Sequence, residues 1–99
     1  MAELLLTLHC APDDAEAVVA ALRAQVTVPI RLHEEVVRGR DYQDASIAEQ
    51  VSGLLRRTGL SLLVDEAQLP LLVQAATAAR RKSPVRWHAT PIFAQGRIE

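Results

Sequence analysis

The sequence repeats one pattern on either side of a polar central segment, residues 38–53. Each half contains an apolar run with strand character, a stretch whose apolar residues have helical spacing, and a second strand-like run. Two strand–helix–strand units of this size indicate an α+β fold in which both units contribute strands to one sheet. With 99 residues the chain is one small domain, spanning residues 1–99, so the two units share a single core.

The first half opens with an apolar run, residues 3–9, whose leucines indicate a strand in the centre of the sheet. Pro12, followed by acidic residues, predicts the start of a helix that extends to about Gln25. Residues 28–33 then alternate between apolar and polar side chains. Pro29 lies within that run and predicts that this second strand is at an edge of the sheet.

The second half follows the same order. Residues 54–64 predict the third strand, with apolar side chains in alternation on one face. Asp65 and Glu66 place negative charge at the start of a second helix, which ends before Pro84. Residues 85–93 predict the fourth strand, which completes the second unit.

The connections decide how the two units combine. Right-handed crossovers leave room for a strand between the two strands of each unit, so the units interleave. The sequence therefore predicts a ferredoxin-like βαββαβ fold: a four-stranded antiparallel sheet with strands one and three central and both helices on one face. The opposite, open face mixes apolar and polar side chains, which is typical of an oligomer interface. Its predicted residues are Leu5, Thr7, His9, Arg31, His33, Ser61, Leu63, Arg86, His88 and Thr90.

The composition excludes several classes of function. The formal net charge is −1 and only three residues are aromatic, so the chain lacks the basic surface and the stacking aromatics of a nucleic-acid-binding protein. Cys10 is the only cysteine, which excludes an internal disulfide and fits a reducing compartment. Neither a basic leader nor a long apolar segment is present, so we expect a cytoplasmic protein.

The central segment is long for a hairpin connection, and excess length of this kind usually indicates function or disorder. Within it, Ser46 and Glu49 have the spacing of a capping box, which predicts a short helix that ends at Gly53. We therefore expect any effector to act on this long loop after the second strand.

Arginines flank both ends of the central segment: Arg38 and Arg40, separated by Gly39, at one end, and Arg56 and Arg57 at the other. Antiparallel pairing of strands two and three brings these ends together, so four guanidinium groups are expected to face one small anionic ligand. The alternative is an edge that is solvated or paired with nearby acidic residues, namely Glu34, Glu35, Asp41 and Asp44.

Three further residues are candidates outside that segment. His9 and His88 are predicted neighbours on the open face, where imidazoles can bind a borderline divalent metal with symmetry copies completing the shell. The alternative is that they hydrogen-bond across a subunit interface. Arg97, in the C-terminal tail, either reaches a neighbouring subunit or is simply exposed. No nucleophile, base and orienting acid form a pattern, so we do not expect an enzyme, and no cofactor is assigned.

Four stretches carry a resemblance that spans almost the whole chain: residues 46–53, the Arg56-Arg57 pair, residues 65–70 and residues 91–98. Through them the chain resembles a small bacterial family of PII-like proteins of unknown function, some of which are encoded beside heavy-metal efflux pumps. The resemblance implies a homotrimer that packs sheet to sheet. It also implies that the loop after strand two is an effector loop (T-loop), with ligands bound between subunits near its base.

We therefore expect a PII-like trimeric regulatory or ligand-sensing adaptor, linked to heavy-metal efflux or metal homeostasis. Its loop, residues 38–53, would contact an efflux-pump component or another protein. Two alternatives stay open: a protein that binds a divalent metal directly through His9 and His88, and an interaction scaffold without a ligand.

Overall fold

The structure is a computed structural model that describes residues 2–38 and 45–99. Its strands are β1 (Glu3–Cys10), β2 (Arg31–Val37), β3 (Leu55–Asp65) and β4 (Arg86–Pro91). Its helices are α1 (Ala15–Arg23), α2 (Ile47–Ser52) and α3 (Leu69–Ala78), and short 3-10 turns, Pro12–Asp14 and Glu66–Gln68, lead into α1 and α3. Within these described ranges no helix is long and apolar enough to cross a membrane.

The four strands form one antiparallel sheet in the order β2-β3-β1-β4. The two most apolar strands, β1 and β3, are central, and they pair from Glu3 opposite Asp65 to Cys10 opposite Thr58. The predicted central position of strands one and three is confirmed, as is the edge position of strand two. Long apolar runs occupy the centre because a central strand is covered on more sides than an edge strand.

The core lies between one face of the sheet and the helices α1 and α3. Leu6 and Leu8 of β1 meet Leu60 and Leu62 of β3, and these four side chains are at most 2% exposed. Full burial of a leucine stabilises the fold by about 1.5–3 kcal/mol relative to exposure. The helices add buried side chains at helical spacing, namely Val18 and Leu22 from α1 and Leu72 and Ala76 from α3.

A buried carboxylate fastens the loop between α3 and β4 to the start of α1. Asp14 is 4% exposed, and its two oxygens accept hydrogen bonds from the backbone N–H groups of Lys82 and Ser83, each at 3.0 Å. Its side chain makes no capping bond to α1. The loop is further held by Arg81, which donates to the carbonyl of Ser83 at 2.9 Å. Polar contacts between the two units therefore join the loop before β4 to the turn before α1.

Two strands differ from the sequence prediction by more than one residue at an end. The second strand was predicted over residues 28–33, but β2 spans Arg31–Val37, so it begins three residues later and ends four residues later than predicted. Val28 and Ile30 pack against the core instead, and Pro29 between them has no N–H to offer a ladder. The fourth strand was predicted to reach Phe93, but β4 ends at Pro91; the N–H of Ile92 still donates to the carbonyl of Glu3 at 3.0 Å, and the tail beyond it has no regular secondary structure.

Candidate functional site

The short helix of the central segment forms as its sequence predicts. The hydroxyl of Ser46 accepts a hydrogen bond from the backbone N–H of Glu49 at 3.2 Å, and the Ser46 N–H donates to Glu49 Oε1 at 3.1 Å. Gly53 ends α2 with a φ of 74°, a left-handed conformation that glycine adopts without strain. The predicted capping box and glycine cap are both confirmed.

The carboxylate of Glu49 also joins α2 to the start of β3. Glu49 Oε2 accepts from the backbone N–H of Arg56 at 3.1 Å and from Nη1 of Arg57 at 3.1 Å. The N–H of Ser46 lowers the pKa of Glu49 most; burial opposes this, and the Arg56 N–H and the charge of Arg57 lower it further. The carboxylate is therefore held in its ionised form. One side chain caps the helix and anchors it to the sheet.

Arg57 reaches Glu49 because it lies just beyond the end of β1. Cys10, the last residue of β1, pairs with Thr58, so no β1 residue lies opposite Arg57. The Arg57 side chain is 7% exposed and also donates to the carbonyl of Arg56 at 2.7 Å. It lines a cavity of about 500 Å³ whose other walls include Pro12, Ser46, Glu49 and Ser83. The first unit, the central segment and the α3–β4 loop thus meet at this arginine.

The other predicted anion-binding residues are placed differently. Arg38 is exposed just after the end of β2, and the side chain of Arg56 is exposed. Arg97 is exposed in the tail and pairs with Glu99 at 3.2 Å. Gly39, Arg40, Asp41 and Asp44 lie outside the described residues. The sequence predicted Glu49 as part of the helix cap, and its role as the partner of Arg57 was missed. The signal for that contact is Gly53, because the turn that it makes brings the two side chains together.

A second cluster lies on the open face of the sheet, and we call it the histidine patch: His9, His33, His88 and Glu35. It contains all three histidines of the chain. His9 Nδ1 is in contact with Glu35 Oε1, and His33 Nε2 lies 3.7 Å from Glu35 Oε2. The rings of His9 and His88 stack with centroids 5.6 Å apart and planes inclined by 20°. The predicted proximity of His9 and His88 is confirmed.

Gly59 leaves the space that the ring of His33 occupies in the patch. In the register of the sheet Gly59 lies opposite His33 of β2 and opposite His9 of β1. A Cβ atom at this position would overlap the imidazole of His33, so the ring lies in the space that the glycine leaves. The sequence reasoning did not assign His33 and Glu35 to the metal site. The signal for Glu35 is its two-residue spacing from His33, which puts both on one face of β2.

Cys10 is separate from the patch, as the alternation along β1 predicts. Its thiol is fully buried on the helix-covered face and lies 3.5 Å from the carbonyl oxygen of Thr58. Burial raises the pKa of the Cys10 thiol, and the carboxylate of Asp14 raises it further. Over the ranges 2–38 and 45–99, no three His, Cys, Asp or Glu side chains form a ready-made metal cluster.

The fold is that of an α+β protein with a four-stranded antiparallel sheet and three helices, of which α1 and α3 pack on one face of the sheet. Over residues 1–99 the chain matches the family described as "Protein of unknown function (DUF3240)", and it belongs to that family. No curated protein matches it significantly.

Solved structures share the fold. A DUF3240 family protein from Shewanella baltica OS155 has a TM-score of 0.79 at 19% identity, covering 100% of this chain and 99% of that one. A functionally unknown protein from Pediococcus pentosaceus has a TM-score of 0.65 at 15% identity, covering 99% of each chain. A Bacillus cereus protein related to NIF3 has a TM-score of 0.70 at 13% identity, covering 97% of this chain but 26% of that one. Identities this low show a common fold alone.

Proposed function

We propose that the protein is a PII-like, ferredoxin-like regulatory adaptor that acts as a homotrimer and senses a small anionic ligand. The strand order β2-β3-β1-β4 with antiparallel neighbours is the order that interleaved strand–helix–strand units produce, and it supports the ferredoxin-like assignment. The long connection between the second and third strands supports a role for residues 38–53 as the effector loop.

The contact between Glu49 and Arg57 is the observation that carries this proposal. Arg57 binds a carboxylate of its own chain beside a cavity of about 500 Å³. Guanidinium groups bind carboxylate and phosphate by the same charge-assisted hydrogen bonds. A phosphate-bearing ligand in the cavity would compete with Glu49 for Arg57. The free energy of ligand binding would then be coupled to the release of α2.

The surface of α2 provides a means of signalling to a partner. Ile47 and Val51 lie one helical turn apart and are 81% and 84% exposed. Apolar side chains with this spacing form a short stripe of the kind that binds partner proteins. A helix whose position depends on Glu49 would present or withdraw that stripe as ligand binds. A heavy-metal efflux-pump component is the proposed partner, on the strength of the family resemblance.

Calorimetry with inorganic phosphate, ATP, ADP and cyclic AMP tests this function, together with hydrogen exchange over residues 45–53. We expect one of these anions to bind and to accelerate exchange in α2. Arg57→Ala should abolish both effects, whereas Arg80→Ala, at an exposed arginine after α3, should leave them unchanged. An exchange pattern that none of the four anions alters would reject anion sensing and favour an interaction scaffold without a ligand.

A further inference from the structure

The histidine patch carries an inference that does not depend on the proposed function. We infer that His9, His33 and Glu35 form a binding site for a borderline divalent cation such as Zn²⁺, Ni²⁺ or Cu²⁺, with His88 packed against His9. Imidazole nitrogens and a carboxylate oxygen are ligands that these ions prefer. The cavity beside Arg57 has a different chemistry, because the two side chains that bind each other in its wall are a guanidinium and a carboxylate.

The placement of the four side chains supports the inference. Three strands contribute to the patch: β1 gives His9, β2 gives His33 and Glu35, and β4 gives His88. Both imidazoles next to Glu35 direct a nitrogen at a different oxygen of the same carboxylate. The side chains of His9, Glu35 and His33 are 28%, 23% and 50% exposed, so an ion can reach them from solvent.

The distances show what an ion would change. Ligand bonds to zinc of about 2.0–2.2 Å in tetrahedral geometry separate neighbouring donor atoms by roughly 3.4 Å. His33 Nε2 and Glu35 Oε2 are 3.7 Å apart, which is already close to that separation. His9 Nδ1 and Glu35 Oε1 are in direct contact and must move apart to admit the ion. All three side chains lie on one face of the sheet, on β1 and β2, which flank β3, so the ion would require them to rotate about their side-chain bonds.

Gly59 provides a test of the inference that leaves all the proposed ligands in place. Because the His33 ring occupies the space above Gly59, any side chain at position 59 displaces the imidazole. The displaced group is the end of a flexible, half-exposed side chain, so the backbone has no reason to move. Gly59→Ala should therefore leave the fold intact and still disturb the site. A purely structural glycine would not affect metal affinity in this way.

The test is calorimetric titration of the metal-free full chain with ZnCl₂, NiCl₂ and CuSO₄, accompanied by thermal shift. We expect at least one ion to bind and raise Tm. His9→Ala, His33→Ala and Glu35→Gln should each weaken binding at least about tenfold, since loss even of groups that support ligands costs about 10- to 100-fold. Gly59→Ala should weaken it as well. Glu34→Gln, the matched control on the next residue of β2, should bind as the unaltered chain does.

Several results would overturn the inference. One is the absence of heat and of a Tm change with all three ions. Another is unchanged affinity in His33→Ala, which would leave His33 as a surface residue. Equal weakening by Glu34→Gln and Glu35→Gln would show a general charge effect rather than a site. Circular dichroism and light scattering of each variant establish that it is folded and assembled as the unaltered chain is. A real site should also bind more weakly at pH 5 than at pH 7.5, because protons compete with the ion for imidazole.

Discussion

Glu49 and Arg57 bind each other at 3.1 Å across the turn that Gly53 makes between α2 and β3. The same carboxylate accepts from the backbone of Ser46 and of Arg56, so three donors converge on one side chain. The helix that it holds has only six residues, too few to be stable alone in water. The position of α2 therefore depends on one carboxylate and its donors rather than on a buried apolar face.

Glu49→Gln should release α2 without unfolding the domain. The amide keeps the size of the side chain but loses the charge, and a hydrogen bond to a charged group contributes about 1.5–3 kcal/mol. We expect faster hydrogen exchange over residues 47–52 and little change in the free energy of global unfolding, because the buried core lies elsewhere. Glu16→Gln, on the exposed side of α1, is the matched control. Unchanged exchange in Glu49→Gln would show that the other contacts of α2 suffice.

Acidification should have the same effect as that substitution. The pKa of Glu49 in the folded protein lies below its ordinary value of 4.5. A carboxyl group with a lowered pKa contributes stability that is complete above the ordinary value and is lost as the pH falls through the folded-state value. Exchange in α2 should therefore be constant between pH 6 and 5, apart from its intrinsic rate, and rise below about pH 4.5. Glu49→Gln should not show this rise.

The sequence predicted the elements that follow from local pattern. The apolar run of β1 indicated a central strand, and the helical spacing of apolar residues indicated helices where α1 and α3 form. The spacing of Ser46 and Glu49 predicted α2 and its cap. In each case residues within one element determine the outcome, so the prediction needs no knowledge of the partner element.

The contacts between elements could not be predicted in the same way. Glu49 contacts Arg57 where β1 has already ended at Cys10, so Arg57 has Glu35 of β2 opposite it but no residue of β1, and this depends on the register of two distant strands. His33 joins His9 because Gly59 lies between them in the sheet. The sequence pattern predicts on which face of the sheet each side chain lies. It does not predict which side chains lie diagonally opposite on neighbouring strands, or how far each side chain extends.

Asp14→Ala should destabilise the whole fold. Asp14 is buried and accepts from the backbone of Lys82 and Ser83, so its loss leaves two backbone N–H groups without their acceptor. We expect a decrease of about 2–4 kcal/mol in the free energy of unfolding, measured by urea denaturation. Asp13→Ala, at the exposed neighbouring aspartate, should change it by less than about 0.5 kcal/mol. Similar effects of the two substitutions would show that Asp14 acts through its charge at the start of α1 instead.

Cys10 should resist alkylation in the folded protein. The thiolate is the reactive form, and burial, reinforced by the charge of Asp14, raises the pKa of this thiol. The sulfur is also inaccessible, since Cys10 is 0% exposed. Iodoacetamide at pH 7.5 should modify Cys10 at a rate at least about tenfold below that in denaturing urea. Equal rates would mean that this end of β1 opens readily.

Leu63→Glu should dissociate the proposed trimer. Leu63 lies on the open face of β3, opposite Leu5 of β1, in the part of that face that is most apolar. An unpaired carboxylate transferred from water into an interface costs several kcal/mol, on the order of the stability of a small oligomer contact. Light scattering at micromolar concentration should give the mass of three chains for the unaltered protein and of one chain for Leu63→Glu. Leu71→Glu places the same charge on an exposed leucine of α3 and should leave the trimer intact. A one-chain mass for the unaltered protein would exclude the trimer, and a three-chain mass for Leu63→Glu would place its interface away from the open face.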